Sequence, residues 1–93
     1  IYLEALSNYT RLHLINKKII VTSRTLKTYE KILPTSFFYR VHNSYIVNSR
    51  HICNINTQGT ILLSQNLTIP IARRRKKEIN CKIKQTEVLK VAV

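Results

Sequence analysis

Short runs of β-branched and aromatic residues, separated by turn signals about every ten residues, constrain this chain more than any other feature. Tyr9 to Ile15 sets Leu12 and Leu14 against Arg11 and His13 with period two, the mark of a half-buried strand. Lys18 to Thr22 carries Ile19, Ile20 and Val21, which suit a pleated surface, and Asn16-Lys17 between them reads as a two-residue hairpin connection. Ser7-Asn8 marks a turn after the apolar opening Ile1 to Ala5. Ser23 or Thr25 caps a helix in which Leu26, Tyr29 and Leu33 recur at spacings of three and four, and Pro34 stops it.

Ser36 to Asn48 is dense in aromatic and β-branched residues and reads as buried extended chain, bent at the polar knot His42-Asn43-Ser44. Phe37, Phe38 and Tyr39 are read as core and strand packing, and Asn48 as a cap or turn residue. Ile52 and Ile55 open another strand, Gln58-Gly59 and Gln65-Asn66 turn it, and Leu67, Ile69 and Ile71 alternate beyond. Pro70 confines that last strand to a sheet edge. Arg73 to Lys77 is a charge run on a short basic helix, with Ile79 and Ile83 as its narrow apolar stripe. Residues 85–93 show no decisive period and read equally as a frayed tail or a last strand. The fold class expected is mainly β, antiparallel, with one or two short helices.

With 93 residues, one domain is expected. Sixteen Lys and Arg stand against four carboxylates, Glu4, Glu30, Glu78 and Glu87, and no Asp, for a net charge of +12. Such a surface attracts polyanions. An AT-rich genome would supply lysines, but it explains the arginines of Arg73, Arg74 and Arg75 less well. No apolar run approaches the ~20 residues of a bilayer span. The opening residues lack an initiator Met and a secretion signal, so further chain is expected upstream. Cys53 and Cys81, without CxxC or a His pair, read as small buried residues in a reduced, cytoplasmic compartment.

Catalysis finds little support. Four scattered Glu make no carboxylate pair, His13, His42 and His51 make no metal spacing, and a single glycine makes no phosphate loop. The expectation is therefore a chain that is not an enzyme and that takes no cofactor, metal or small-molecule substrate.

The knot and its flanks carry a specific resemblance. Leu33-Pro34-x-x-Phe37-Phe38-Tyr39-Arg40-Val41-His42-Asn43-Ser44-Tyr45-Ile46-Val47-Asn48 resembles the signature of the LytTR family, the DNA-binding output domain of LytR/AgrA-type bacterial response regulators. Ile1-Tyr2-Leu3-Glu4-Ala5 with Asn8-Tyr9-Thr10 resembles the family's opening, Thr25-Leu26-Lys27 its helix start, and Ile69-Pro70-Ile71-Ala72-Arg73-Arg74 its closing motif. The resemblance covers about Ile1 to Lys84. It departs in three places: the family usually begins one strand earlier, often carries a basic residue where Asn43 stands, and commonly has Ser in place of Ala72.

The resemblance implies an elongated antiparallel β fold whose loops enter successive major grooves of a directly repeated duplex site, two domains binding in tandem as a dimer on DNA. By position it assigns base reading to the loop Ser7 to Arg11, with Asn8 and Thr10, to Asn43, and to Arg73 and Arg74. Arg11, Lys17, Lys18, His42, Arg75 and Lys76 are the phosphate candidates. The chemistry stands apart from the family too: Asn bonds adenine N6 and N7 bidentately, and Arg does the same to guanine O6 and N7. A receiver domain needs an Asp to take up phosphate, so any such regulation sits upstream. The competing readings are a bend satisfied by its own backbone for His42 and Asn43, and a solvated helix face for Arg73 to Lys77. For the whole chain the rival is a small basic RNA-binding module of the ribosomal kind, and a third class is a module for acidic membranes or proteins.

Overall fold

The computed structural model describes residues 1–56 and 59–81. Five strands form one antiparallel sheet in the order β3-β2-β1-β5-β4: β1 Tyr2–Leu6, β2 Tyr9–His13, β3 Ile19–Thr22, β4 Phe38–His42 and β5 Tyr45–Asn48. Three more form a second sheet in the order β6-β7-β8: β6 Ile52–Asn56, β7 Thr60–Leu63 and β8 Leu67–Pro70. The helix α1, Leu26–Ile32, is capped by Thr25, whose side chain accepts the amide of Thr28, and it ends at Leu33 before Pro34.

Alternation along the larger sheet divides the apolar residues between two cores. On one face Leu26, Tyr29 and Leu33 of α1 and its end pack over Leu3, Ile46, Leu12 and Phe38. On the other, Tyr39, Val41 and Val47 meet Ile61, Leu63 and Ile69 of the second sheet and Ile71 just beyond it, closed by Ile79. Three layers result, 40 Å along the longest axis against 25 Å along the shortest.

Most strands and turns lie where the pattern places them, and the differences have local causes. The β2–β3 connection holds three residues rather than two: Leu14 N–H donates to the Lys18 carbonyl at 2.9 Å and Lys17 adopts φ 65°. A three-residue hairpin loop of this kind needs a left-handed position, here filled by Lys17. Phe37 is not core. It is 41% exposed, ahead of β4, with the Arg50 guanidinium 4.7 Å above its ring. Both cysteines are exposed rather than buried: Cys53 occupies the register break of β6 opposite β7, and Cys81 is at the solvent side of the last described helical turn. Asn48 does cap, its Oδ1 accepting the Arg50 amide at 3.0 Å. Pro70 ends β8, an edge strand. The basic run begins as a 3-10 turn, Arg73–Arg75, and continues as α-helix over residues 76–81. Gln58, Ile83 and the tail 85–93 lie outside the described residues.

The two outer strands of the larger sheet differ. At β4 the Ala72 amide donates to the Val41 carbonyl at 2.7 Å, covering that edge. At β3, Ile19, Ile20 and Val21 are all exposed.

Candidate nucleic-acid interface

Two hairpin turns share one rim of the larger sheet. Ser7-Asn8 joins β1 to β2, with Ser7 at φ 55°, and Asn43-Ser44 joins β4 to β5. The Ala5 amide donates to the Ser44 carbonyl at 2.8 Å, so the end of β1 is tied to the second turn. Two strand spacings, ~10 Å, separate the turns. The third contributor arrives through the Ala72–Val41 bond, which brings Arg73 and Arg74 to the same rim.

The sequence of the second turn dictates its shape. The β4–β5 register breaks between Arg40 and His42, so Val41 is an extra residue, buried in the core, and the strand bends just before the tip. His42 Nδ1 accepts the Ser44 amide at 3.1 Å, which leaves Nε2 as the nitrogen available outside the turn. Asn43 is exposed. Its Oδ1 accepts Nη2 of Arg74 at 2.9 Å, across 31 residues of chain, and its carbonyl accepts Nη2 of Arg40 at 2.8 Å. An amide and a guanidinium, the two groups best matched to adenine and guanine edges, thus stand side by side at an exposed tip.

The rim gathers some of the expected residues and not others. Asn8, Asn43, Arg73 and Arg74 are exposed, and of these Asn43 and Arg74 are in hydrogen-bond contact. Thr10 is a correction: it is 0% exposed, and its hydroxyl donates to the Arg24 carbonyl at 2.7 Å, so no surface remains for a base. Its place on the α1 side of β2, the same side as Leu12, turns it inward. Lys17 and Lys18 lie past the opposite end of β2, ~17 Å from the rim by strand rise. Arg11 sits inside the strand, its guanidinium 3.6 Å from Glu4, which also meets His13 at 3.1 Å. Arg75 turns back on the fold, donating to the Arg40 carbonyl at 3.3 Å. Lys76 lies across Gly59, whose φ of +94° is the reason that turn favours glycine; a Cβ there would meet the flexible end of the lysine, which can move aside.

Arg40 escaped the sequence reading. An arginine between Tyr39 and Val41, both aimed at the core, has to occupy the α1 face, and the one glutamate of α1, Glu30, is the signal that it has a partner there. Among the described residues no group of three His, Cys or Glu is placed to hold a metal ion, and no helix is long and apolar enough to cross a membrane.

The family model of the LytTr DNA-binding domain matches residues 1–84. This chain belongs to that family. A solved LytTr DNA-binding domain from Bacillus cereus superposes with a TM-score of 0.79 at 25% identity, covering 89% of this chain and 79% of the other. Among characterised relatives, the sensory transduction protein LytT of Bacillus anthracis is 34% identical over 67 residues, 68% of this chain and 27% of that protein. The transcriptional regulatory protein LytR of Staphylococcus aureus strain N315 is 31% identical over 78 residues, 80% of this chain and 31% of that protein. The LytTr domain here therefore spans less than a third of the length of either relative. As in the family, its fold is mostly antiparallel β with short helices, and the arginine-bearing rim belongs to a DNA-binding domain.

Proposed function

We propose that this LytTr domain binds duplex DNA sequence-specifically as the output domain of a bacterial transcription regulator in the cytoplasm. In this reading the turns of the rim enter major grooves of a directly repeated promoter site, two domains sit in tandem, and any phosphate-accepting domain lies upstream. Asn43, Arg74, Arg73 and Asn8 face bases, and neighbouring cations and the outer nitrogen of His42 meet phosphates. The observation that carries it is the Asn43–Arg74 pair on an exposed tip of a chain with net charge +12. Similarity to a transcriptional regulatory protein and a sensory transduction protein supports the regulatory context.

Fluorescence anisotropy tests it with a duplex selected from a random pool, a shuffled duplex and a single-stranded RNA, each over a salt series. A selected, directly repeated duplex preferred by about a thousandfold at physiological salt is expected. Equal binding of all three, vanishing as salt rises, reduces the interaction to charge alone, and preference for the RNA favours the ribosomal-type module.

A further inference from the structure

Arg40 is a strand residue with a nearly buried side chain, 14% exposed, and its guanidinium serves three acceptors at once. Nη1 donates to Glu30 Oε1 at 2.9 Å, Nε to the His42 carbonyl at 2.8 Å, and Nη2 to the Asn43 carbonyl at 2.8 Å. The backbone carbonyl of the same residue accepts Nη1 of Arg75 at 3.3 Å, one position from Arg74. One residue thus touches the helix, both backbone carbonyls that lead into the tip, and the segment that delivers the second base-facing arginine.

We propose that Arg40, oriented by Glu30, is the positioning residue for Asn43: it fixes the backbone at His42 and Asn43 so that the Asn43 amide meets Arg74 and faces DNA. This rests on the duplex-reading function proposed above. The chemistry requires arginine. A planar guanidinium offers five N–H groups in fixed directions, enough to reach one carboxylate and two carbonyls on different sides, whereas an ammonium is a point charge on a flexible stem and cannot hold that fork. Glu30 orients the fork and compensates a cation that is largely removed from water. The other ties of the turn fall mostly on Ser44, whose amide meets His42 Nδ1 and whose carbonyl accepts the Ala5 amide, while Arg40 is the side chain that reaches the His42 and Asn43 carbonyls. Base reading depends on placement to a fraction of an ångström, so a slack tip loses discrimination before it loses charge.

The test compares affinities for the selected and shuffled duplexes across salt, using this chain with Asn43→Ala, Arg40→Lys, Glu30→Gln and the reciprocal swap Glu30→Arg with Arg40→Glu. Arg40→Lys is expected to lower the selected-to-shuffled ratio about tenfold. Its salt slope and its affinity for the shuffled duplex should stay as they were, because no charge is lost. The swap is the decisive arm. It re-forms an ion pair between α1 and β4 but removes the Arg40 donors to the two carbonyls, so the ratio stays low even where the melting midpoint recovers. Recovery of the ratio together with the midpoint would make Arg40 a stabilising partner only and overturn the proposal. Arg40→Lys keeps the test open if the swapped protein does not fold: a full ratio in that variant, with Asn43→Ala depleted, overturns positioning alone. A full ratio in Asn43→Ala overturns the base-reading assignment itself. In the free domain, the side-chain amide resonances of Asn43 should shift or broaden in Arg40→Lys while those of the core remain, and unchanged Asn43 signals would also count against it.

Discussion

Arg74 donates from Nη2 to Oδ1 of Asn43 at 2.9 Å, joining the hairpin tip to the basic turn that follows β8. The bond means that the two residues present their remaining donors as a unit. Arg74→Ala and Asn43→Ala should each cost about 1 to 3 kcal/mol on the selected duplex and little on a shuffled one. Because they touch, the double variant should cost less than the sum, with a coupling of about 0.5 kcal/mol or more in a double-mutant cycle. Strict additivity would mean that they read independently, and equal losses on both duplexes would demote them to phosphate contacts.

The separation of cations along the sheet sets a second expectation. Lys17 lies in the β2–β3 turn and Lys18 closes it, away from the rim, whereas Arg73 is exposed at the basic turn after β8. Arg73→Ala should reduce the slope of log affinity against log salt by about one unit, and Lys17→Ala should leave it nearly unchanged. A slope reduced equally by Lys17→Ala would place DNA along the length of the sheet instead of on its rim.

Thr10 offers a third test, this one of stability. Its buried hydroxyl donates to the Arg24 carbonyl at the approach to α1. Thr10→Val keeps the shape and removes the donor, so the loss should be about 1 kcal/mol in urea unfolding, with the selected-to-shuffled ratio intact. A stable variant with a collapsed ratio would return Thr10 to the base-reading set.

Alkaline pH should act through Tyr2. Burial of its ring, then the charge of Glu4 and the neighbouring Tyr45, raise its phenol above the ordinary value of 10.0, against a smaller opposing effect of Arg11. A pKa raised in the folded state favours the protonated form there, so the associated stability is complete below pH 10 and is lost as pH rises through the folded value. Chemical unfolding between pH 9 and 12 should show a falling midpoint, shallower in Tyr2→Phe. The same slope in both proteins would remove Tyr2 as the cause.

How far the chain could be read in advance depended on the range of the interactions involved. Thr25 and Pro34 bound α1 by local chemistry, and alternation in the strands reports which residues share a face, so the helix and most hairpins were legible. The rim was legible only through family resemblance, because nothing in spacing says that Asn43 and Arg74 meet. Thr10 failed as a base reader because it shares the face of Leu12 in β2, a direction that alternation reports but that an assignment by loop position ignores. Cys53 failed as a core residue because one register break in β6 is invisible in composition. Lys17 and Lys18 looked like neighbours of the reading loop in sequence, and the length of β2 carries them away from it.

The open strand β3 has a geometric consequence for how two copies can share a duplex. Its exposed residues would pair with a second β3 most simply about a two-fold axis through Ile20, setting Ile19 against Val21. The strand ends beside the rim, so the axis would send the two rims to opposite sides of a ten-stranded sheet. Directly repeated half-sites are related by translation along the helix and cannot be read by rims facing away from each other. On the directly repeated site proposed above, neighbours would follow one another in the same sense, leaving β3 of each copy unpaired with its own kind.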